Sequence, residues 1–371
     1  MKRGLLVPIA LVAVALVLAG CGTSPTAQAP SGGGDSTAGP FAKYANLTGP
    51  DRTSKLLADA RKEGSVSVYT SNTDIGDLVE EFEKTYPGVK VDAFRANSET
   101  VLQRVQQESA ANRLGADIVD TDDFELDALS SQGMFAEYQS PVRDSLRKEA
   151  LFPGWTATRF NAFVVAWNTK LVPAGQEPRS FEELADPKWK GKLAMELSDF
   201  DWYLSLHTYL TTKKGMSDAQ ADDLFKGLVA NAKVVKGHTV MGDLLAAGQF
   251  AVALSIYSHT IDKAANNDGA PVAFRPIVAP VILRPNGAGL FRAAEHPAAA
   301  LLWMDWLLTD GQKDIAKAFR IPAQASVPGF TDPIPAGTEV FDVPQDLLVK
   351  QNKRWSDAYD ALIRGAPKAQ G

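Results

Sequence analysis

The chain is 371 residues long, with 38 Lys and Arg against 44 Asp and Glu, a single cysteine and 45% apolar residues. This acidic balance disfavours a nucleic-acid partner, whose phosphates call for a basic face, and one cysteine leaves no disulfide framework. The roughly 320 residues beyond residue 50 exceed what a single core fills, so two lobes are expected.

At the N-terminus, Lys2 and Arg3 precede an apolar run from Leu5 to Leu18 that ends in Leu18-Ala19-Gly20-Cys21. The run is short of the ~20 residues of a spanning helix and stops at small residues, which is the pattern of a cleaved secretory signal. Leu-Ala-Gly-Cys resembles the lipobox of bacterial lipoproteins. The resemblance implies removal of residues 1–20, lipidation of Cys21, and an exported protein held at the cell envelope by that anchor alone. Without Lys2 and Arg3 the chain keeps 36 basic and 44 acidic side chains, a net charge of −8. Residues 21–50 are expected to form a tether, because Gly22 to Pro40 is dominated by Gly, Ser, Thr, Ala and Pro with the one charge of Asp35.

In the body, Ser54 to Lys62 reads as a helix closed by Gly64, and Ser65 to Thr70 as a strand. Asp74 to Tyr86 puts Ile75, Leu78, Val79 and Phe82 on one helical face before Pro87-Gly88 stops it. Val89 to Phe94 is a second strand, Ser98 to Ala111 a second helix of this alternating series, Ala116 to Val119 a third strand, and a further helix starts at Asp123. Strands alternating with amphipathic helices predict an α/β fold with a parallel sheet. Ligands of such sheets sit beyond the carboxyl ends of the strands, here Thr70 to Asn72, Arg95 to Ser98 and Asp120 to Asp123, each group also suited to capping the next helix. Phe160 to Trp167 reads as a strand crossing into a second α/β lobe. That lobe has strands at Lys192 to Leu197, around Val234-Val235 and at Phe250 to Ile256, with helices at Asp201 to Thr212 and Val240 to Ala247. Pro276, Pro280 and Pro285 argue against a central ladder strand through Pro271 to Ala288, which reads as a segment crossing back.

Several stretches resemble the type II extracellular solute-binding proteins of the ferric-ion and related ABC importers. They are Gly64 to Tyr69 (GSVSVY), Phe82 to Val91 (FEKTYPGVKV), Gly115 to Asp122 (GADIVDTD), Ala166 to Leu171 (AWNTKL), Ser180 to Leu193 (SFEELADPKWKGKL), Gly248 to Ala253 (GQFAVA) and Asn286 to Lys313. The resemblance implies two α/β lobes around a ligand cleft: 51–158 and 279–327 in the first, 159–278 in the second, and 328–371 as a helical segment packing on the second. It also implies a monomer that captures a small polar solute by lobe closure and delivers it to an ABC permease and its ATPase. No cofactor and no chemical step are expected.

Carried onto this chain, the family's contacts fall on Thr70, Ser71, Arg95, Ser98 and Asp122 of the first lobe, and on Asp199, Asp201, Trp202 and Tyr257 of the second. Ferric-binding relatives carry two adjacent tyrosines where this chain has Ile256-Tyr257-Ser258, and a histidine in the loop occupied here by Thr70-Ser71-Asn72. Iron by that mode lacks two ligands; a metal site would instead draw on Tyr257, Asp199 and Glu196, oxygen donors that suit hard cations. Ser71, Ser98 and Arg95 suit an anion, while Asp199 and Asp201 suit a cationic or hydroxyl-bearing end, so the expected solute carries both. A ligand-sensing surface receptor needs the same cleft and stays open as an alternative. An envelope hydrolase is disfavoured, because no G-x-S-x-G, H-E-x-x-H or S-x-x-K constellation is present and His207, His238, His259 and His296 show no metal spacing.

Overall fold

A computed structural model describes residues 39–367; the signal, Cys21 and most of the expected tether lie outside the described residues. The strands that matter here are β1 (Ser65–Thr70), β2 (Lys90–Arg95), β3 (Ile118–Asp122), β4 (Thr156–Asn168), β5 (Leu193–Glu196), β6 (Ala232–Val235), β7 (Val252–Tyr257) and β8 (Val281–Phe291). The helices are α1 (Gly49–Glu63), α2 (Ile75–Thr85), α3 (Ser98–Ala110), α4 (Asp123–Ser131), α5 (Phe200–Thr212), α6 (Asp218–Asn231), α7 (His238–Ala246), α8 (Ser258–Asn267), α9 (Pro297–Leu307) and α10 (Gln345–Ile363).

One continuous sheet runs in the order β2-β1-β3-β8-β4-β7-β5-β6, with four short strands at its margins. The β2-β1-β3 end is parallel and so is the β7-β5-β6 end, while β8 and β4 between them run antiparallel to each other and to their outer neighbours. Each parallel end is a wound α/β unit whose helices cross over because parallel strands cannot be joined by tight turns. The long strands join the units, and β4 is buried along all thirteen residues. A strand covered on both faces reads as largely apolar sequence, which is why its stretch Phe160 to Trp167 (FNAFVVAW) stood out, while the polar Thr156 to Arg159 and Asn168 at its ends did not.

The expectation about the proline-bearing segment needs correcting. Val281–Phe291 is a central strand, with Pro285 opposite Phe160 in the ladder. Proline is tolerated there because the other side of β8 changes partner at that point: Val281 to Leu283 pair with Val340–Asp342, and Asn286 to Leu290 pair with β3. Pro285 falls in the gap, where no bond is asked of its missing N–H.

The expected tether also ends earlier than residue 50. Phe41 and Tyr44 are buried, and Arg52 of α1 is held by Asp305 of α9 at 2.6 Å and by the Tyr44 carbonyl at 2.9 Å. Two apolar cores result, one around β1 to β3 with Phe82, Trp303 and Trp306, the other around β5 to β7 with Trp202, Tyr203 and Phe225. The C-terminal helix α10 lies on α5, with Trp355 and Tyr359 against Tyr203. Among the described residues no helix is long and apolar enough to cross a membrane.

Candidate functional site

Strands β1, β2 and β3 feed directly into α2, α3 and α4, and β5, β6 and β7 into α5, α7 and α8. All six junctions meet at a cleft of about 520 Å³. Six helix N-termini therefore bring their positive dipole ends to one volume, although first-turn N–H groups of α3, α4 and α5 are already taken by Asn97, Asp123 and Asp201.

Of the residues expected at the site, Ser71, Arg95, Ser98 and Asp122 line the cleft from the first lobe, and Asp199, Asp201 and Tyr257, with Glu196, from the second. Thr70 and Trp202 are not among its lining residues. Thr70 is fully buried in β1, its hydroxyl accepting from the Asn72 N–H at 2.9 Å. Trp202 is packed in the second core between Phe181 and Phe225. Nor does Asp199 cap α5 with its side chain.

Arg284 of β8, which the sequence reading did not single out, lies at the centre. Its guanidinium reaches Asp201 at 2.8 Å, Asp122 at 3.3 Å and the Tyr257 hydroxyl. Asn286, two residues on and on the same face, donates to the other oxygen of Asp122. Burial works against Arg284's charge, but Asp122, Tyr257, Asp201 and Asp123 outweigh it and hold its pKa well above the ordinary value. Burial pushes the Tyr257 phenol well up, so it is neutral.

The remaining carboxylates are largely spent as well. Asp199 is paired with His238 at 3.1 Å; burial pulls that imidazole down, but Asp199 and Glu196 outweigh it and raise its pKa. Glu196 accepts from the backbone N–H groups of Gly237 (2.8 Å) and Ser198. Burial, with Asp201 and Asp122 nearby, raises Asp123 to about 8, so it is mainly protonated at pH 7, and burial and Asp122 raise Glu125 well above the usual carboxylate range. His259, stacked on Tyr257 at 5.3 Å, is held neutral by burial and by Arg320.

The cationic side is different. Arg159 and Arg320 line the cleft while their carboxylate partners, Asp120 (2.7 Å) and Asp74, sit behind them. Arg95 at the end of β2 and Lys236 just after β6 are exposed, line the cleft from opposite lobes, and have no ion-pair partner among the described residues. Each stands one to three residues before a helix start, α3 for Arg95 and α7 for Lys236. The buried Asn72 amide also leaves its Nδ2 without a partner among the described residues. The cleft therefore offers unspent donors and cations, alongside two unspent acceptors among the described residues, the exposed Glu99 carboxylate and the buried Asn286 Oδ1. A usable signal for Arg159 and Arg284 existed: each is a lone cation inside an apolar strand, where a charge is retained only with a partner.

Among the described residues, no group of three or more His, Cys, Asp or Glu side chains is disposed to hold a metal ion.

Comparison with known proteins agrees with this architecture. A family model described as bacterial extracellular solute-binding protein matches residues 69–314. Iron uptake protein A1 of Synechocystis sp. (strain ATCC 27184 / PCC 6803 / Kazusa) is 25% identical, over 72% of this chain and 78% of that protein. Among solved structures, the periplasmic binding protein AfuA from Actinobacillus pleuropneumoniae, with exogenous fructose-6-phosphate bound, superposes with a TM-score of 0.69 at 19% identity, covering 82% of this chain and 100% of that one. The Trichodesmium protein IdiA (FutA), in complex with iron and citrate ligands, gives 0.61 at 22% identity, covering 81% and 99%. At these identities the structural likeness speaks for the two-lobed fold alone.

Proposed function

Because the chain belongs to the bacterial extracellular solute-binding proteins, we propose that its cleft captures a small solute through that solute's anionic groups. Membership makes the chain an exported binding protein with a small solute as ligand and a transporter as partner. The observation that carries the anionic reading is the pair Arg95 and Lys236: two cations without ion-pair partners among the described residues, one from each lobe, each just before a helix N-terminus. A solute bridging them stabilises the closed arrangement of the lobes over the open one, which is the form a transporter can recognise. This narrows the two-ended solute expected from the sequence. Asp199 and Asp201, the intended hosts of a cationic end, are already engaged by His238 and Arg284.

The finer parts of the reading belong together. Lobe one is 41–158 with 279–327, its start moved back from residue 51 by the packing of Phe41 and Tyr44, lobe two is 159–278, and 328–367 closes on lobe two. The protein works as a monomer, held to the membrane by lipid on Cys21, serving a permease and its ATPase and catalysing no reaction.

The test is thermal stabilisation and calorimetric titration of the purified chain with inorganic phosphate, fructose-6-phosphate and citrate, against spermidine and uncharged sugars. Ligand at 100-fold over its Kd adds about 2.7 kcal/mol. Arg95→Ala and Lys236→Ala are each expected to weaken anion binding about tenfold, the ~1.4 kcal/mol at the low end for exposed charge-assisted hydrogen bonds. Stabilisation by spermidine with none by any anion refutes the reading.

A second reading is iron, favoured by the likeness to a protein named for iron uptake. As a bare ion it meets Arg284 lying on Tyr257 and on both nearby carboxylates. Iron carried as an anionic chelate fits the same cations as any other anion, and ferric citrate belongs in the panel for that reason.

A further inference from the structure

Three oxygens from distant parts of the chain converge on one point: Asp122 at the end of β3, Asp201 in α5 and Tyr257 at the end of β7. Two carboxylates and a phenol are a donor set for a hard metal cation. Here the point is filled by the guanidinium of Arg284, reaching in from β8. We infer that Arg284 is the specificity-determining residue of this cleft, a tethered cation that stands in the place of a metal ion and bars hard cations from it. The inference rests on the solute-binding reading of the same cleft, but not on Arg95 or Lys236.

The geometry favours a permanent occupant. Arg284 is 7% exposed, its backbone lies in the centre of the sheet, and Asn286 fixes the far oxygen of Asp122 so that the carboxylate faces the guanidinium. Its ring neighbours also favour a cation, since the guanidinium carbon lies 5.1 Å from the centre of Phe163 and 5.3 Å from that of Tyr257. A lysine there has a route to neutrality by losing its proton, but a guanidinium does not. An entering metal ion would therefore have to evict a charged side chain or sit beside it. The inference also accounts for carboxylates in a cleft otherwise arranged for anions: Asp122 and Asp201 hold the internal cation.

The experiment is titration of the wild-type chain, Arg284→Met, Arg284→Lys and the double variant Arg284→Met/Tyr257→Phe with ferric nitrilotriacetate, following the visible tyrosinate-to-iron band. Arg284→Met is expected to take up one iron per chain with the band, at least tenfold more tightly than wild type, with Arg284→Lys between the two, and the double variant to lose the band. A folded Arg284→Met without the band overturns the inference, and so does a wild-type chain that already shows the same band. If Arg284→Met does not fold, Arg284→Gln, which keeps a donor towards Asp201, goes through the same titration with the same two overturning results. Wild-type titration with phosphate, sugar phosphate and citrate reports separately on the anionic reading, so either conclusion can fail while the other stands.

Discussion

Replacing Arg159 by Met removes the guanidinium 2.7 Å from Asp120, in an ion pair whose side chains are 2% and 0% exposed. Asp120 Oδ2 already has no partner among the described residues, so the variant leaves a buried carboxylate with neither oxygen satisfied by a side chain. Breaking a buried pair from one side costs about 3–5 kcal/mol. At ~2 °C per kcal/mol for a chain of this size, the melting point falls by about 6–10 °C. The loss depends on pH with a definite sign. Burial already raises the Asp120 pKa against the pull of Arg159, and removing Arg159 raises it further. A carboxyl whose folded pKa is raised contributes stability that is present below its unfolded pKa and lost as pH rises through the folded one. The deficit is therefore smaller near pH 5 than near pH 8. Urea unfolding at both values measures it, with Asp120→Asn/Arg159→Met as the partner variant, expected to regain most of the loss because the amide carries no charge. A deficit equal at the two pH values, or a double variant no more stable than the single, refutes the account of Arg159 as the counter-charge to a buried Asp120.

His238→Gln is expected to remove a pH step. The raised imidazole stabilises the fold below its unfolded pKa near 6.5, and that contribution is lost as pH rises through the folded value. Asp123, raised to about 8, acts in the same direction, so the quantity to read is the wild-type minus variant difference in urea midpoint from pH 6 to 9, which should shrink with rising pH. Gly287→Ala places a methyl against the Thr156 carbonyl and 2.7 Å from the Trp155 ring, where β8 and β4 change register; a loss of about 1–3 kcal/mol in denaturant unfolding is expected. Trp202→Ala should cost about 3–5 kcal/mol of stability, while calorimetry on the folded variant finds anion affinity within about twofold of wild type, because the ring lies outside the cleft.

Much of the fold was legible because its signals are local. Ser65–Thr70 is bounded by Gly64 with φ +86° and by a polar loop, and helical periodicity placed α2 and α3 to within a residue or two. Pro285 misled because the cost of proline depends on which neighbour its position asks for a bond, and that neighbour lies over a hundred residues away. The rim of the site was legible for the same local reason: strand ends followed by helix starts. Its centre was not. Asp122, Asp201, Tyr257 and Arg284 are brought together by topology alone, and a sequence read in order weighs Asp201 as a free carboxylate when the fold has spent it. Thr70 and Ser71 differ by one position, and in a pleated strand that decides which of them faces the cleft.

The two crossing strands lie side by side as one hydrogen-bonded pair, and that has a mechanical consequence. A single strand leaves two bodies free to swing and to twist, whereas a side-by-side hydrogen-bonded pair resists twisting and keeps one easy axis, bending across the ribbon. Arg284 is a residue of that ribbon, so under the proposed closure of the lobes the middle of the cleft lies at the pivot and travels little. Arg95 ends β2 and Lys236 directly follows β6, the strands that form the two outer ends of the sheet order, so both stand at the ends of the lever arms. If the lobes close on a solute as proposed, the stroke is concentrated in Arg95 and Lys236, the cleft cations without an ion-pair partner among the described residues, while Arg284 at the pivot keeps its partners.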